Sequence, residues 1–140
     1  MTVKEFLQSL RKMDYQINRK RDLVDKLESA CTYKGVRINE IGGSGGSHDP
    51  HSHESAMARF IDAKDALEKT IEELCNRREQ AMDMIDTISD ADVLDIFYRR
   101  YFNYEKWEDI AVDKGISFQW VHELHRRGLI ELERRFGKNL

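Results

Sequence analysis

Three observations predict an all-α fold in which a long N-terminal antiparallel helical hairpin, a coiled coil, is followed by a small helix-turn-helix domain. Charged residues make up 35% of the 140-residue chain, and there is a single proline. That balance suits long, solvated helices better than a large core. Apolar residues recur at alternating spacings of three and four along two separate stretches. Near the end, "WEDIAVDKGISFQWVHELH" (residues 107–125) is a helical pattern broken once by a glycine.

The first stretch places Val3, Phe6, Leu10, Met13, Ile17, Val24, Leu27 and Cys31 on one seam, with Lys20 as its exception. A helix of this length is roughly 45 Å long at 1.5 Å per residue, too long to be half of a globular core. The alternation returns at Met57, Phe60, Leu67, Ile71, Leu74, Ala81, Ile85 and Ile88, with Lys64 and Arg78 at the two positions that break it. Two helices with one apolar stripe each are satisfied by folding back on each other over residues 1–88 or by pairing with a second subunit. Between them, a Gly/Ser/His-rich loop is expected at about 32–53, around "GGSGGS". His48, His51 and His53 follow it and are the one candidate metal cluster. A glycine-rich loop does not preorganise ligands, and no cysteine nearby completes a tetrahedral set, so no metal or other cofactor is expected.

The N-terminus, "MTVKEFLQSLRK", is charged from residue 4 and lacks the apolar run of a signal peptide. No segment approaches the roughly 20 apolar residues that cross a bilayer, so no membrane association is expected. Cys31 and Cys75 sit far apart in helical patterns, which suits reduced, buried thiols and a cytosolic protein. Net charge is −3, but from Phe97 onward nine basic residues outnumber seven acidic ones. A last third at +2 has only modest affinity for nucleic acid by itself.

Residues 89–140 read as a separate domain. Ser89 is the expected N-cap of a helix whose Asp90 and Asp92 favour its dipole, and Val93, Leu94, Phe97, Tyr98 and Tyr101 form a broad apolar face. In the quoted stretch, Ala111 supplies the small residue of a close helix crossing and Gly115 the residue that tolerates positive φ. Ile110, Ile116, Val121 and Leu124 fill the packing face, and Ser117 caps the second helix. Facing outward are Phe118, Gln119, His122, Glu123 and Arg126. Gln119 is suited to adenine, Arg126 to guanine or a phosphate, Glu123 to the cytosine amino group and Phe118 to a thymine methyl. His122 donates to either a phosphate or a base, and Arg127 is placed as a backbone clamp. Ser117, Phe118, Gln119, His122, Glu123, Arg126 and Arg127 are thus the candidate DNA-binding residues. Trp107 reads as core, and Trp120 as core or the edge of this face.

With its flanks, "VLDIFYRRYFNYEKWEDIAVDKGISFQWVHELHRRGLIELERRF" resembles region 4 of bacterial sigma-70-type factors, which reads the −35 promoter element. The likeness lies in Arg100 and Tyr101, the "WEDIA" entry, the "GIS" turn, Val121, and then Gly128, Leu129 and Leu132 where sigma proteins usually carry alanine, leucine and leucine. The whole chain is similar to small phage and prophage regulators of Gram-positive bacteria: a streptococcal-type phage family and, more distantly, the ArpU and RinA-type late regulators. The shared signature comprises Arg100, Tyr101, Asn103, Tyr104, Trp107, Glu108, Ile110 and Ala111. Three departures stand out: Lys106 at a usual serine or threonine cap, Lys114 at a usual apolar position, and Gly128 in place of a helix-favouring alanine. Lys114 is compatible with burial of its alkyl stem.

The resemblance implies a sequence-specific regulator that binds double-stranded DNA at promoters, with host RNA polymerase as a further partner and a homodimer through the hairpin. The chain has no room for the domain that melts the −10 element, so a complete sigma factor is excluded. Two alternatives remain open: a DNA-packaging protein of the small-terminase type, and a protein-binding helical scaffold. No enzymatic activity is expected. His122 and His125 are spaced three apart rather than the four of a zinc-protease helix, and "GGSGGS" has no lysine after it to make a phosphate loop.

Overall fold

The computed structural model describes the backbone of residues 1–40 and 50–140 and the side chains of residues 1–32 and 51–140. Among these the protein is all-α, with five helices: α1 (Val3–Glu40), α2 (Pro50–Ile85), α3 (Ala91–Tyr101), α4 (Trp107–Lys114) and α5 (Phe118–Phe136). A short 3-10 turn, Gly137–Asn139, follows α5. None of the helices is long and apolar enough to cross a membrane.

α1 continues to Glu40 and α2 begins at Pro50, so helix occupies both flanks of the loop expected at about 32–53. Proline suits the first turn of a helix, where its missing N–H has no acceptor in any case, and residues 36–40 contain neither glycine nor proline. The glycines at 42, 43, 45 and 46, together with His48, lie outside the described residues. His51 and His53 fall on α2, where His51 Nδ1 is 3.8 Å from Glu54 Oε2. Among the described residues no three His, Cys, Asp or Glu side chains are grouped so that they could hold a metal ion.

The chain forms two compact units: Met1–Asp14 with Leu74–Leu140, and Tyr15–Glu73. In the second unit Ile17, Val24, Cys31 and Ala56 are buried. Met57 and Lys64, both expected on the seam, are exposed, whereas Ala56 is buried and Ala63 and Ala66 are half-buried. On this part of α2 the alanines thus share the covered face with Phe60, Leu67 and Ile71, which are half-buried on the seam, and the lysine stays in water. Cys75, expected to be buried, is exposed; both cysteines are free thiols.

In the first unit the start of α1 is fixed from two sides. Thr2 N–H donates to Glu5 Oε2 at 2.7 Å and Glu5 N–H to Thr2 Oγ1 at 3.1 Å, a reciprocal capping box. Val3 N–H donates to Glu133 Oε2 at 2.8 Å, so a carboxylate on α5 satisfies another orphan donor of α1. Val3, Phe6, Leu7 and Leu10 are all buried. At the beginning of α3 the cap is Asp90 rather than Ser89: its Oδ1 accepts from Asp92 N–H at 2.9 Å and Val93 N–H at 3.4 Å. Serine and aspartate cap about equally well, and helix phase selects the residue whose carboxylate faces the open N–H groups.

α3 and α4 are held together by ion pairs. Lys114 Nζ lies 2.9 Å from Asp95 and 3.3 Å from Asp92, while Arg99 reaches Asp95 (2.9 Å), Asp113 (3.3 Å) and Glu105 (3.4 Å). Lys114 thus stands at a usually apolar position by burying its stem and sending its ammonium to two carboxylates. α5 crosses α3 at Gly128. A β-carbon there would lie 2.8 Å from Phe97 Cζ and from Val93 Cγ1, and in closer contact still with Phe97 Cε2. Alanine does not fit this crossing, which accounts for the glycine.

Candidate nucleic-acid interface

The turn between α4 and α5 follows from local chemistry. Gly115 adopts φ 66° and ψ 31°, a left-handed conformation that costs a glycine no Cβ clash. Gly115 N–H donates to Val112 O and Ile116 N–H to Ala111 O, each at 3.1 Å, which closes α4 with a Schellman-type ending. Lys106, at the N-cap of α4, makes no side-chain capping bond. Two residues after the glycine, Ser117 Oγ accepts from Trp120 N–H at 3.1 Å and starts α5. Ser117 is therefore occupied as a cap.

Along α5 the buried residues are Val121, Leu124, His125, Gly128 and Leu132, a helical stripe that fixes the outward face. Gln119, Arg126 and Arg127 are exposed, as are Phe118 and Trp120; His122 and Glu123 are half-buried. The seven candidate residues thus occupy one turn and the first ten residues of α5, but they differ in how available they are.

Glu123 is the hub. Its carboxylate accepts from Arg126 Nε at 3.0 Å and Nη2 at 2.9 Å, a two-pronged pairing, and from Arg127 Nε at 3.1 Å. The Arg126 and Arg127 guanidiniums hold its carboxyl down at about 2. Arg127 also lies over the exposed Trp120 ring, 5.0 Å from its centre. Both arginines placed for DNA are thus engaged by the acid of their own face. The sequence offers a signal for this, since Glu123 stands three and four residues before Arg126 and Arg127, a favourable helical spacing.

His122 is held between aromatic rings, 4.8 Å from Trp107 and 4.4 Å from Phe118. Trp107 is half-buried, its ring packed against His122 and, 4.7 Å away, the edge of His125. Arg100 covers it at 4.5 Å and donates to Glu105 O at 2.9 Å.

Beneath this surface lies a pair that sequence reading passed over as chemistry. Tyr101 Oη and His125 Nε2 share a buried hydrogen bond of 2.7 Å. Burial pushes the Tyr101 hydroxyl up to about 12. Burial first, and then the charges of Lys4 and Arg100, push the His125 imidazole down to about 4, so it is neutral at pH 7. Phe97 stacks on His125 at 5.0 Å, so this polar pair sits in an aromatic core.

Near the start of α1, Tyr104 adopts a positive φ of 55°, unusual for an aromatic residue. Its hydroxyl donates to Asp14 and accepts from Arg78 Nη2 at 3.2 Å, while Arg78 pairs with Asp14 at 2.7 Å. This three-residue cluster holds the loop between α3 and α4 in place. Comparison of the chain with protein-family models, with curated proteins and with solved structures finds no match.

Proposed function

We propose that the protein is a sequence-specific DNA-binding transcription regulator that lays the first half of α5 in the major groove, an activator of the phage or prophage kind that the sigma region 4 resemblance implies. The observation that carries this reading is the outward face of α5. A short helix, a left-handed glycine and a serine cap present a helix whose Phe118, Gln119, Trp120, Arg126 and Arg127 are in solvent while its other side is packed.

In this reading Gln119 pairs with an adenine edge and Phe118 lies on a thymine methyl. Arg126 and Arg127 leave Glu123 to reach a base or the backbone, and the carboxylate then turns to a cytosine amino group or to water. Because the arginines must exchange one partner for another, binding by a single copy is weak. A second contact, from RNA polymerase or another copy of the chain, brings occupancy into a useful range. Leu23, Met57 and Ile61, exposed apolar residues in the Tyr15–Glu73 unit, supply a surface for that second copy.

The test is selection of bound duplexes from a randomised pool by the purified protein, with and without host RNA polymerase. An enriched motif that disappears with Gln119→Ala and Arg126→Ala is expected. Absence of enrichment in both conditions refutes the reading and leaves a helical scaffold for protein partners.

A further inference from the structure

Within the first unit, the start of α1 meets α3, the Tyr104 loop, α4 and α5 around a cavity of about 350 Å³. That is near the lower end of the roughly 300–1,000 Å³ typical of small-ligand pockets, and larger than a bare ion needs. Its walls carry three permanent cations, Lys4 and Arg11 from α1 and Arg100 from α3, together with the His122 and His125 rings. None of the described residues that line it bears a carboxylate. Asp14, which is bonded to the wall residue Tyr104, is also paired with Arg78.

The cations are positioned rather than scattered. Arg100 lies over the Trp107 ring and is anchored to Glu105 O through one of its five N–H groups. Arg11 lies 5.8 Å from the centre of the Tyr104 ring. Among the described residues Lys4 forms no ion pair. Three like charges converging on one concavity repel each other, and an anion relieves that repulsion. Burial is the main cause of the depressed basicity of His125, and the charges of Lys4 and Arg100 add to it.

We infer that this cavity binds the phosphate group of a phosphorylated molecule, with Lys4, Arg11 and Arg100 as its ligands and Trp107 as part of its wall. A phosphate ester fits better than a carboxylate because its two charges and three terminal oxygens match a point charge plus two guanidinium forks. The phosphate belongs either to a free phosphorylated compound or to a nucleic-acid backbone. The inference does not rest on promoter reading by α5, since a small inorganic probe tests it without DNA.

The experiment uses the full chain with Trp120→Phe, which leaves Trp107 as its only tryptophan. Inorganic pyrophosphate is titrated at constant ionic strength while Trp107 emission is followed. A saturable change with a Kd in the millimolar range or tighter is expected, and Lys4→Gln with Arg11→Gln weakens it by about tenfold or more. Both side chains are exposed, so the variant's thermal melt is expected to match that of its parent. An emission that pyrophosphate leaves unmoved overturns the inference, and so does an undiminished affinity in the correctly folded double variant. A competition arm with a short duplex assigns the source. Displacement of pyrophosphate by the duplex assigns the site to backbone phosphate, whereas simultaneous binding assigns it to a free phosphorylated compound.

Discussion

Replacing Gly128 with alanine sets two effects of opposite sign against each other. In the interior of α5 alanine is favoured over glycine by about 0.8–1.0 kcal/mol of helix propensity. Against this, the new methyl would meet Phe97 Cζ and Val93 Cγ1 at 2.8 Å. Neither neighbour yields easily: Phe97 is fully buried, and its ring is stacked 5.0 Å from His125 and 5.7 Å from Tyr101. Overpacking of such a core costs about 1–3 kcal/mol. The clash wins, and Gly128→Ala is expected to destabilise the protein by about 1 kcal/mol. With a urea slope of about 2 kcal/mol/M the midpoint falls by about half a molar, with the slope unchanged. Urea unfolding followed by tryptophan emission measures it. In a Phe97→Leu background, which vacates the contact, the same substitution is expected to be neutral or stabilising. An alanine variant as stable as the parent, with Phe97 intact, would refute the argument that the crossing of α3 and α5 selects glycine.

Acid should act through His125. Its folded pKa of about 4 lies below the ordinary 6.5, so protonation favours the unfolded chain. This contribution to stability is present in full above about pH 6.5, and it is lost as pH falls from there through 4, on the order of 3 kcal/mol in all. His125→Gln, which keeps a partner for Tyr101, should flatten that part of a stability profile measured by denaturant titration, and an unchanged profile counts against it. Glu123→Gln releases Arg126 and Arg127 and is expected to tighten duplex binding and steepen its salt dependence by up to about two phosphate contacts, read by fluorescence anisotropy at several salt concentrations. Equal slopes for parent and variant contradict the hub role of the carboxylate. Asp90→Ala removes the α3 cap and should cost about 1 kcal/mol in thermal or urea unfolding, whereas Ser89→Ala should cost much less.

Much of the packing was legible because it follows from period. Val3, Phe6, Leu10, Met13, Ile17, Val24 and Cys31 are buried as the seam predicts, and Val121 and Leu124 face inward on α5. Gly115 and Ser117 take the turn and cap expected of them. What escaped is what period does not encode. A heptad template selects the larger apolar residue, so it placed Met57 on the seam where packing chose Ala56. It also has no position for Leu7, which is buried all the same beside the C-terminal helices of the first unit. The candidate face was legible as a set of outward residues, but the pairing of Glu123 with both arginines is a competition between partners. The convergence of Lys4 and Arg11 with Arg100 joins residues almost a hundred positions apart, and no local pattern announces it.

The bond from Val3 N–H to Glu133 spans 130 residues. Genetic exchange in modular genomes works by crossovers between neighbouring stretches of sequence, and a module travels well when everything it needs is contiguous. Here a crossover near residue 89 would carry away α5 while leaving behind the Val3 N–H that Glu133 caps. An exchange that kept the first unit whole would therefore have to carry both Met1–Asp14 and Leu74–Leu140, whereas Tyr15–Glu73 is one contiguous stretch.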